Sequence, residues 1–213
     1  MNWLTRLLPG CASLTLDFAL RARLEHYAGR PQPDLGMSHF ETRYVVVNTE
    51  AAGLDLDKDP LLAVAAIAVQ GGTIDPERTL YAPLGEKPGE TLATLLEFVD
   101  RAPVVLFNAS FNRNHLERAY DQHLGLALDL TWIDLYWLLP VFFPEFHGSP
   151  ARLAEWMADF GIETFQRHHA LGDAYAIAQL LLATLGRSMA QGITTPRALA
   201  EAERSHRWLH QAG

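Results

Sequence analysis

Apolar residues recur along the first half of the chain in short segments with the spacing of strands. Three such segments predict strands at residues 44–47, 61–69 and 73–81. Turns that contain Asp, Pro or Gly separate them, and the shortest is Gly71-Gly72. Because tight turns join strands that run in opposite directions, we predict an antiparallel meander.

Beyond the meander, the spacing of apolar residues changes to that of helices alternating with strands. The predicted elements are, in order, a helix from Glu90, a strand at residues 103–107, a helix at about 112–123, a strand at 131–133, a helix at 151–160 and a long helix that includes 171–185. Ser149 and Pro150 are typical of a helix start, since serine caps the first turn and proline fits within it.

Helices are also predicted at both ends of the chain, at residues 13–28 and from Thr195-Pro196 to about Trp208. A segment rich in Gly and Pro follows the first of them. We therefore predict an N-terminal helical extension and linker (1–39), an α/β domain (40–190) and a C-terminal helix (191–213). At the N-terminus, one helical face would hold Trp3, Leu4, Leu7 and Leu8, which favours packing on the domain or on a protein partner over a weak interfacial membrane anchor.

Composition places the chain among globular proteins of a reducing compartment. With 49% hydrophobic residues in 213, it can bury a core. A single cysteine, Cys11, rules out an internal disulfide and a cysteine-based zinc site, so we expect a cytoplasmic protein. The longest apolar run, residues 61–69, is far shorter than a membrane span, and the N-terminal segment does not match a signal peptide.

The formal net charge of −8 argues against tight, sequence-independent binding of nucleic acid through lysine and arginine. It does not exclude a metal-dependent nuclease, because bound divalent cations would supply positive charge at the site.

Three separated polar motifs carry the candidate chemistry. They are Asn48-Thr49-Glu50 followed by Ala51, Gly53 and Leu54; Asn108-Ala109-Ser110-Phe111-Asn112; and His168-His169-Ala170-Leu171-Gly172-Asp173. This pattern resembles the DnaQ-like 3'-5' exonucleases of the DEDDh group. In that family the first motif is Asp-x-Glu, the second ends in Phe-Asp, and the third is His followed five residues later by Asp. Here Asn48 and Asn112 stand at two of the Asp positions.

The resemblance covers about residues 42–186 and implies the ribonuclease-H-like fold. This is an α/β fold with a mixed five-stranded sheet flanked by helices, to which the terminal helices would be extensions. It also implies that Asn48, Glu50, Asn112 and Asp173 occupy the metal positions for Mg²⁺ or Mn²⁺, with His168 as the general base. Ala51, Gly53, Leu54 and Asn108 fall where the family binds the 3' end of a single strand or a nucleotide.

Two of the four metal positions have lost their negative charge. A carboxylate and a divalent ion about 4 Å apart attract by up to about 8 kcal/mol at an effective dielectric constant of 20. Asn48 and Asn112 lack this attraction, so we expect one weak metal site or none. The substrate side departs from the family as well. Ala51 and Ala52 offer no hydroxyl, and residues 82–89 lack a His-Gly-Ile-like segment.

The third motif fixes one geometric condition. Five positions on a continuous helix place two side chains about 140° apart, so His168 and Asp173 can face one site only if His168 precedes the helix. The neighbouring His169 has no counterpart in the family, and we expect it at the surface.

Simpler interpretations stand beside the functional ones. Asn108 and Asn112 suit a turn and a helix cap, and Asp134 suits the cap of a short helix. Aromatic residues that could stack bases are more typical of a core or an interface: Trp132, Trp137, Phe142, Phe143 and Phe146. Basic residues near the C-terminus could meet phosphate, although a solvated helix face is the commoner case: Arg204, His206, Arg207 and His210.

Three hypotheses follow. The first is an exonuclease-fold protein with a degenerate metal site, inactive or impaired, that binds nucleic acid, a nucleotide or a partner. The second is an active metal-dependent 3'-5' exonuclease on DNA or RNA in which Asn48 and Asn112 are engineered or tolerated. The third is an interaction module that uses its terminal helices.

Overall fold

The structure is a computed structural model that describes residues 16–53, 55, 58–164 and 169–211. One sheet contains the strands β1 (Tyr44–Ala51), β2 (Leu61–Gln70), β3 (Thr73–Pro83), β4 (Val104–Leu106) and β5 (Trp132–Asp134). The helices are α1 (Phe18–Ala28), α2 (Pro88–Val99), α3 (Ala109–Leu124), α4 (Leu135–Phe142), α5 (Leu153–Phe160), α6 (Ala170–Ala190) and α7 (Pro196–Gln211).

The strand order in the sheet is β3-β2-β1-β4-β5. The pairs β1–β2 and β2–β3 are antiparallel, whereas β1–β4 and β4–β5 are parallel. The predicted meander and mixed five-stranded sheet are therefore confirmed. The predicted short helix after Asp134 is also present, as α4.

Two hydrophobic cores lie on opposite faces of the sheet, and β1 contributes to both. Its side chains alternate, with Tyr44 and Val46 in the core beneath α4 and α6 and with Val45 and Val47 in the core beneath α2 and α3. This alternation decides where the polar end of β1 points. Asn48 and Glu50 continue the first face, and Thr49 continues the second.

The terminal helices pack on the sheet domain within the described residues. In α1, Leu20 and Leu24 enter one core, and Arg23 pairs with Glu90 and Glu97 of α2 at 2.5 and 2.7 Å. In α7, Leu199 and Ala200 enter the other core. No described helix is long and apolar enough to cross a bilayer.

A buried histidine joins the start of the domain to the segment before α7. The His39 ring is 3% exposed, with Nδ1 2.6 Å from the Tyr44 hydroxyl and Nε2 3.1 Å from the carbonyl of Ile193. Nε2–H thus donates to the carbonyl, and Nδ1 accepts from the hydroxyl. Burial lowers the pKa of His39 from 6.5.

The lowered pKa of His39 should contribute to the pH dependence of folding. The unfolded chain binds the proton more readily, so stability present above pH 6.5 should be lost as the pH falls below it. The slope from one such group reaches at most about 1.4 kcal/mol per pH unit. We expect His39→Gln to flatten the plot of unfolding free energy against pH between about 7 and 5, measured by urea denaturation. If His39→Gln has the same slope as the unaltered chain, the prediction is contradicted.

Candidate metal and nucleic-acid site

The polar end of β1 brings the three motifs together. The side-chain amide of Asn48 donates to the carbonyl of Ala170 at the start of α6, 3.3 Å away. On the opposite face, Thr49 contacts Asn112 of α3. The first motif therefore lies between Asn112 of the second and Ala170 of the third.

The side-chain amides of Asn48 and Asn112, which stand where the family has Asp, both make hydrogen bonds, and Asn112 makes more of them. Its Oδ1 accepts from the Thr49 N–H at 3.0 Å and from the Thr49 hydroxyl at 2.7 Å, while Nδ2 donates to the carbonyl of Phe107 at 2.8 Å. The side chain is 5% exposed. Because a backbone N–H requires an acceptor and a carbonyl requires a donor, these partners fix the orientation of the amide.

Glu50 and Asp173, which stand where the family also has acids, are half-buried. Glu50 Oε2 is shielded from solvent and has no hydrogen-bond partner among the described residues, whereas Asp173 lies in the first turn of α6, three residues after Ala170. A shielded carboxylate oxygen without a donor is a group that a cation would satisfy. Among the described residues, no three His, Cys, Asp or Glu side chains are grouped as metal ligands.

The donor set therefore does not fit a binuclear metal centre. Hard divalent cations favour carboxylate oxygens, and Asn112 Oδ1 already accepts two hydrogen bonds from Thr49. Glu50 and Asp173 provide two negative charges against the four positive charges of two metal ions. Two carboxylates and two amides thus stand at the four positions that resemble the metal ligands of the family.

The third motif is described only in part, because His168 lies outside the described residues. His169, which has no counterpart in the family, is partly exposed and has a structural role that the sequence analysis did not assign. Its Nδ1 accepts from the N–H of Leu171 at 3.3 Å as the N-cap of α6, and its ring stacks on Tyr81 with centroids 4.7 Å apart. His169 thus fixes the beginning of the helix that carries Asp173, and the sequence signal for this was its position just before the apolar stripe.

Three of the four residues expected to bind substrate lie at or just after the end of β1, and the fourth, Asn108, follows β4. Ala51 is paired with Leu61 across a bulge, and Leu54 lies outside the described residues. At Gly53 a Cβ atom would overlap the carboxylate of Asp59, so a larger residue would require that side chain to move. Asp59 Oδ2 also accepts from the N–H of Asp55 at 2.8 Å, which places a negative charge in the loop of the first motif.

Asn108 is a turn residue, as the simpler interpretation has it. Its φ is 61°, in the left-handed region that asparagine tolerates, and its Oδ1 accepts from the Ser110 hydroxyl at 2.5 Å. Its N–H donates to the carboxylate of Asp134 at 2.9 Å. Asn108 thus directs the chain from β4 into α3.

Asp134 caps α4 as predicted, and it also caps α3. The carboxylate accepts from the N–H groups of Asn108, Ala109 and Tyr136 at 2.9, 2.8 and 3.0 Å. Burial raises the pKa of Asp134, and these hydrogen bonds oppose the shift. The second capping role was missed, because nothing in the sequence shows that the ends of β4 and β5 are adjacent.

Comparison with known proteins gives sequence relatives that are much longer than this chain. No family model matches. A DNA polymerase III PolC-type protein of Bacillus subtilis is 31% identical over 175 residues, which is 72% of this chain and 12% of that protein. One from Thermotoga maritima is 26% identical over 180 residues, 72% of this chain and 13% of that protein. The chain spans about an eighth of the length of these relatives.

Solved structures share the fold at low sequence identity. E. coli exonuclease I in complex with a dT13 oligonucleotide superposes with a TM-score of 0.53 at 16% identity, over 71% of this chain and 42% of the enzyme. The sheet described above is therefore the ribonuclease-H-like sheet with its flanking helices. Together with the three motifs and the sequence relatives, this fold shows that the chain belongs to the DnaQ-like 3'-5' exonuclease family.

Proposed function

We propose that this chain is an exonuclease-fold protein with a degenerate metal site, inactive or strongly impaired in hydrolysis, that binds single-stranded nucleic acid. The observation that carries the proposal is the use of the two amides. Asn48 and Asn112 each donate a side-chain N–H to a main-chain carbonyl, of Ala170 and Phe107 respectively. An ionised aspartate has no proton to donate at either position.

The amide network favours asparagines that are native to the fold over engineered ones. A change of Asp to Asn made only to stop catalysis would leave an amide among partners suited to a carboxylate. Instead, Asn112 satisfies two donors on Thr49 and one carbonyl acceptor at Phe107. Asn48 makes one such bond, at the longer distance of 3.3 Å, and supports the same interpretation less strongly.

Charge at the site points the same way. Without the two aspartates, the attraction that would hold a second cation is lost, and the Asn112 oxygen is already engaged by Thr49. The Oε2 atom of Glu50, which has no hydrogen-bond partner among the described residues, favours the alternative, an active exonuclease that uses Mg²⁺ or Mn²⁺ and in which Asn48 and Asn112 are engineered or tolerated. We rank this alternative second because hydrolysis in the family depends on two metals.

Nucleic-acid binding is proposed from the relatives and from the shape of the fold. The dT13 complex of exonuclease I has the same fold, and the DNA polymerases are relatives over most of this chain. A cytoplasmic location is part of the proposal and rests on the single cysteine. A protein partner at the terminal helices is the third hypothesis, and no described contact favours it.

The test is a single assay of binding and cleavage on labelled single-stranded DNA and RNA. With Mg²⁺ or Mn²⁺ present, we expect retained binding without detectable shortening of the strand from its 3' end. The matched comparison is the Asn48→Asp/Asn112→Asp chain under the same conditions. Metal-dependent cleavage by the unaltered chain would establish the alternative, and absence of binding to either nucleic acid would refute the proposal.

A further inference from the structure

A cavity rich in arginine lies between α7 and the start of α3. Its volume is about 580 Å³, and a neighbouring cavity of about 380 Å³ shares Arg113, Arg207 and Asp134 with it. We call the two together the arginine groove. Its arginines are Arg113, Arg197, Arg204 and Arg207.

We infer that the arginine groove binds the phosphate backbone of single-stranded nucleic acid without metal, an inference that rests on the proposed function. The groove opens beside Asn108 and Ser110, at the start of the helix whose Asn112 contacts the first motif. A strand in the groove would therefore lead to the degenerate site. Where bound cations are weakly held, arginines are the groups available to neutralise phosphate.

Two of the four arginines are available for a ligand. Within the described residues, no carboxylate oxygen lies within 4.0 Å of a side-chain nitrogen of Arg197 or Arg204, and both residues are exposed. They are seven positions apart on α7, which places them on the same face and about 10 Å apart along the axis. This separation fits a chain of anionic groups better than a single small anion.

The acids of the groove are largely engaged by the protein itself. Asp134 accepts three backbone N–H groups, and the buried Glu203 lies 3.3 Å from Arg207 Nη1 and accepts from the N–H of Asp134 at 3.4 Å. Burial raises the pKa of the Glu203 carboxyl. Two further acids line the groove: Glu117, whose Oε1 lies 2.7 Å from Arg113 Nε, and the exposed Glu201. Four arginines therefore face four acids, of which Asp134 and Glu203 are buried and Glu117 is paired with Arg113.

Aromatic rings in the lining favour nucleic acid over an acidic peptide. The guanidinium of Arg113 lies 5.5 Å from the centroid of the Trp132 ring, and Tyr136 and Trp137 line the neighbouring cavity. All three rings are partly exposed. Nucleic-acid bases stack on such rings, whereas an acidic peptide requires only the cations.

The test measures the anisotropy of a fluorescent single-stranded dT oligonucleotide with the full chain and no divalent metal. We expect Arg197→Ala/Arg204→Ala to weaken binding at least about tenfold and to reduce the slope of log affinity against log salt by about 0.7 for each lost phosphate contact. Arg197→Lys/Arg204→Lys should keep most of the slope. The charge-matched control is Arg21→Ala/Arg187→Ala, with circular dichroism to verify folding of each variant.

The outcomes separate the two proposals. If the unaltered chain binds the oligonucleotide and both alanine double variants bind equally well, the groove inference is overturned and the proposed function stands. If the unaltered chain binds no oligonucleotide at all, both are overturned. A labelled polyglutamate peptide that loses binding only in Arg197→Ala/Arg204→Ala, with unchanged oligonucleotide binding, would assign the groove to acidic proteins and overturn the inference.

Discussion

A chain carrying Asn48→Asp and Asn112→Asp is expected to bind Mn²⁺ at least about 100-fold more tightly than the unaltered chain. A carboxylate and a divalent ion attract by up to about 8 kcal/mol at 4 Å and an effective dielectric constant of 20. If about a third of this survives desolvation and the loss of amide hydrogen bonds, one aspartate contributes about 2.7 kcal/mol, which is about 100-fold in affinity. Titration calorimetry measures the affinity and the number of sites.

The control for this titration is Asn114→Asp, which adds the same charge to an exposed position of α3. It should leave Mn²⁺ affinity nearly unchanged. Micromolar affinity at two sites in the unaltered chain would defeat the proposal of a degenerate site. If the double aspartate variant gains no affinity for Mn²⁺, the missing charge alone does not explain weak metal binding. Other departures from the family in the surrounding cleft, such as Ala51 and Ala52, would then contribute.

Asn112→Asp alone, without metal, is expected to lower the free energy of unfolding by about 1–3 kcal/mol near neutral pH. The change removes the donor to the Phe107 carbonyl and leaves that buried oxygen facing a carboxylate. The two hydrogen bonds from Thr49 would strengthen on a charged acceptor and offset part of the cost. The burial of residue 112 makes the loss larger than the gain.

Urea denaturation at pH 7 measures this effect, again beside Asn114→Asp. The Asn114 amide donates to the carbonyl of Ser110 at 2.6 Å, so the control also loses one hydrogen bond, but at an exposed site where water replaces it. If Asn112→Asp is no less stable than Asn114→Asp, the amide at 112 is not required by the fold. Adding Mn²⁺ should raise the free energy of unfolding of the Asn48→Asp/Asn112→Asp chain and leave that of the unaltered chain unchanged.

Much of the fold follows from local patterns in the sequence. The apolar segment at residues 61–69 became β2, the central member of the meander, because uninterrupted apolar residues can be buried on both faces of a sheet. The alternation along β1 then orients the candidate site. Since Val46 and Val47 point to opposite faces, Asn48 and Thr49 must contact different helices.

The hydrogen-bond partners of the site could not be predicted in this way. The partners of Asn112 are Thr49 and Phe107, and the first of these lies on a strand far away in the sequence. Replacement of Asp by Asn was visible in the sequence, but whether the amide proton has an acceptor depends on tertiary packing. The close approach of Asp59 to Gly53 likewise follows from the path of a loop.

The arginine groove could not be predicted from the sequence either, because its charges come from different elements. Arg204 and Arg207 on their own suggested a solvated face of α7, which is the usual fate of such residues. Arg113 belongs to α3 and completes the groove only because α7, which packs on β5, lines the same cavity as the start of α3. Charge patterns along one helix do not show which other helix they face.

The double capping role of Asp134 has a consequence for how this surface can change through evolution. The Asp134 carboxylate caps the first turns of both α3 and α4, so the positions of Asn112 and Trp137 depend on the same residue. Substitutions along the exposed sides of either helix can therefore accumulate without moving their first turns. We expect descendants of this chain to vary the ligand they recognise while the spatial frame of the cleft stays constant.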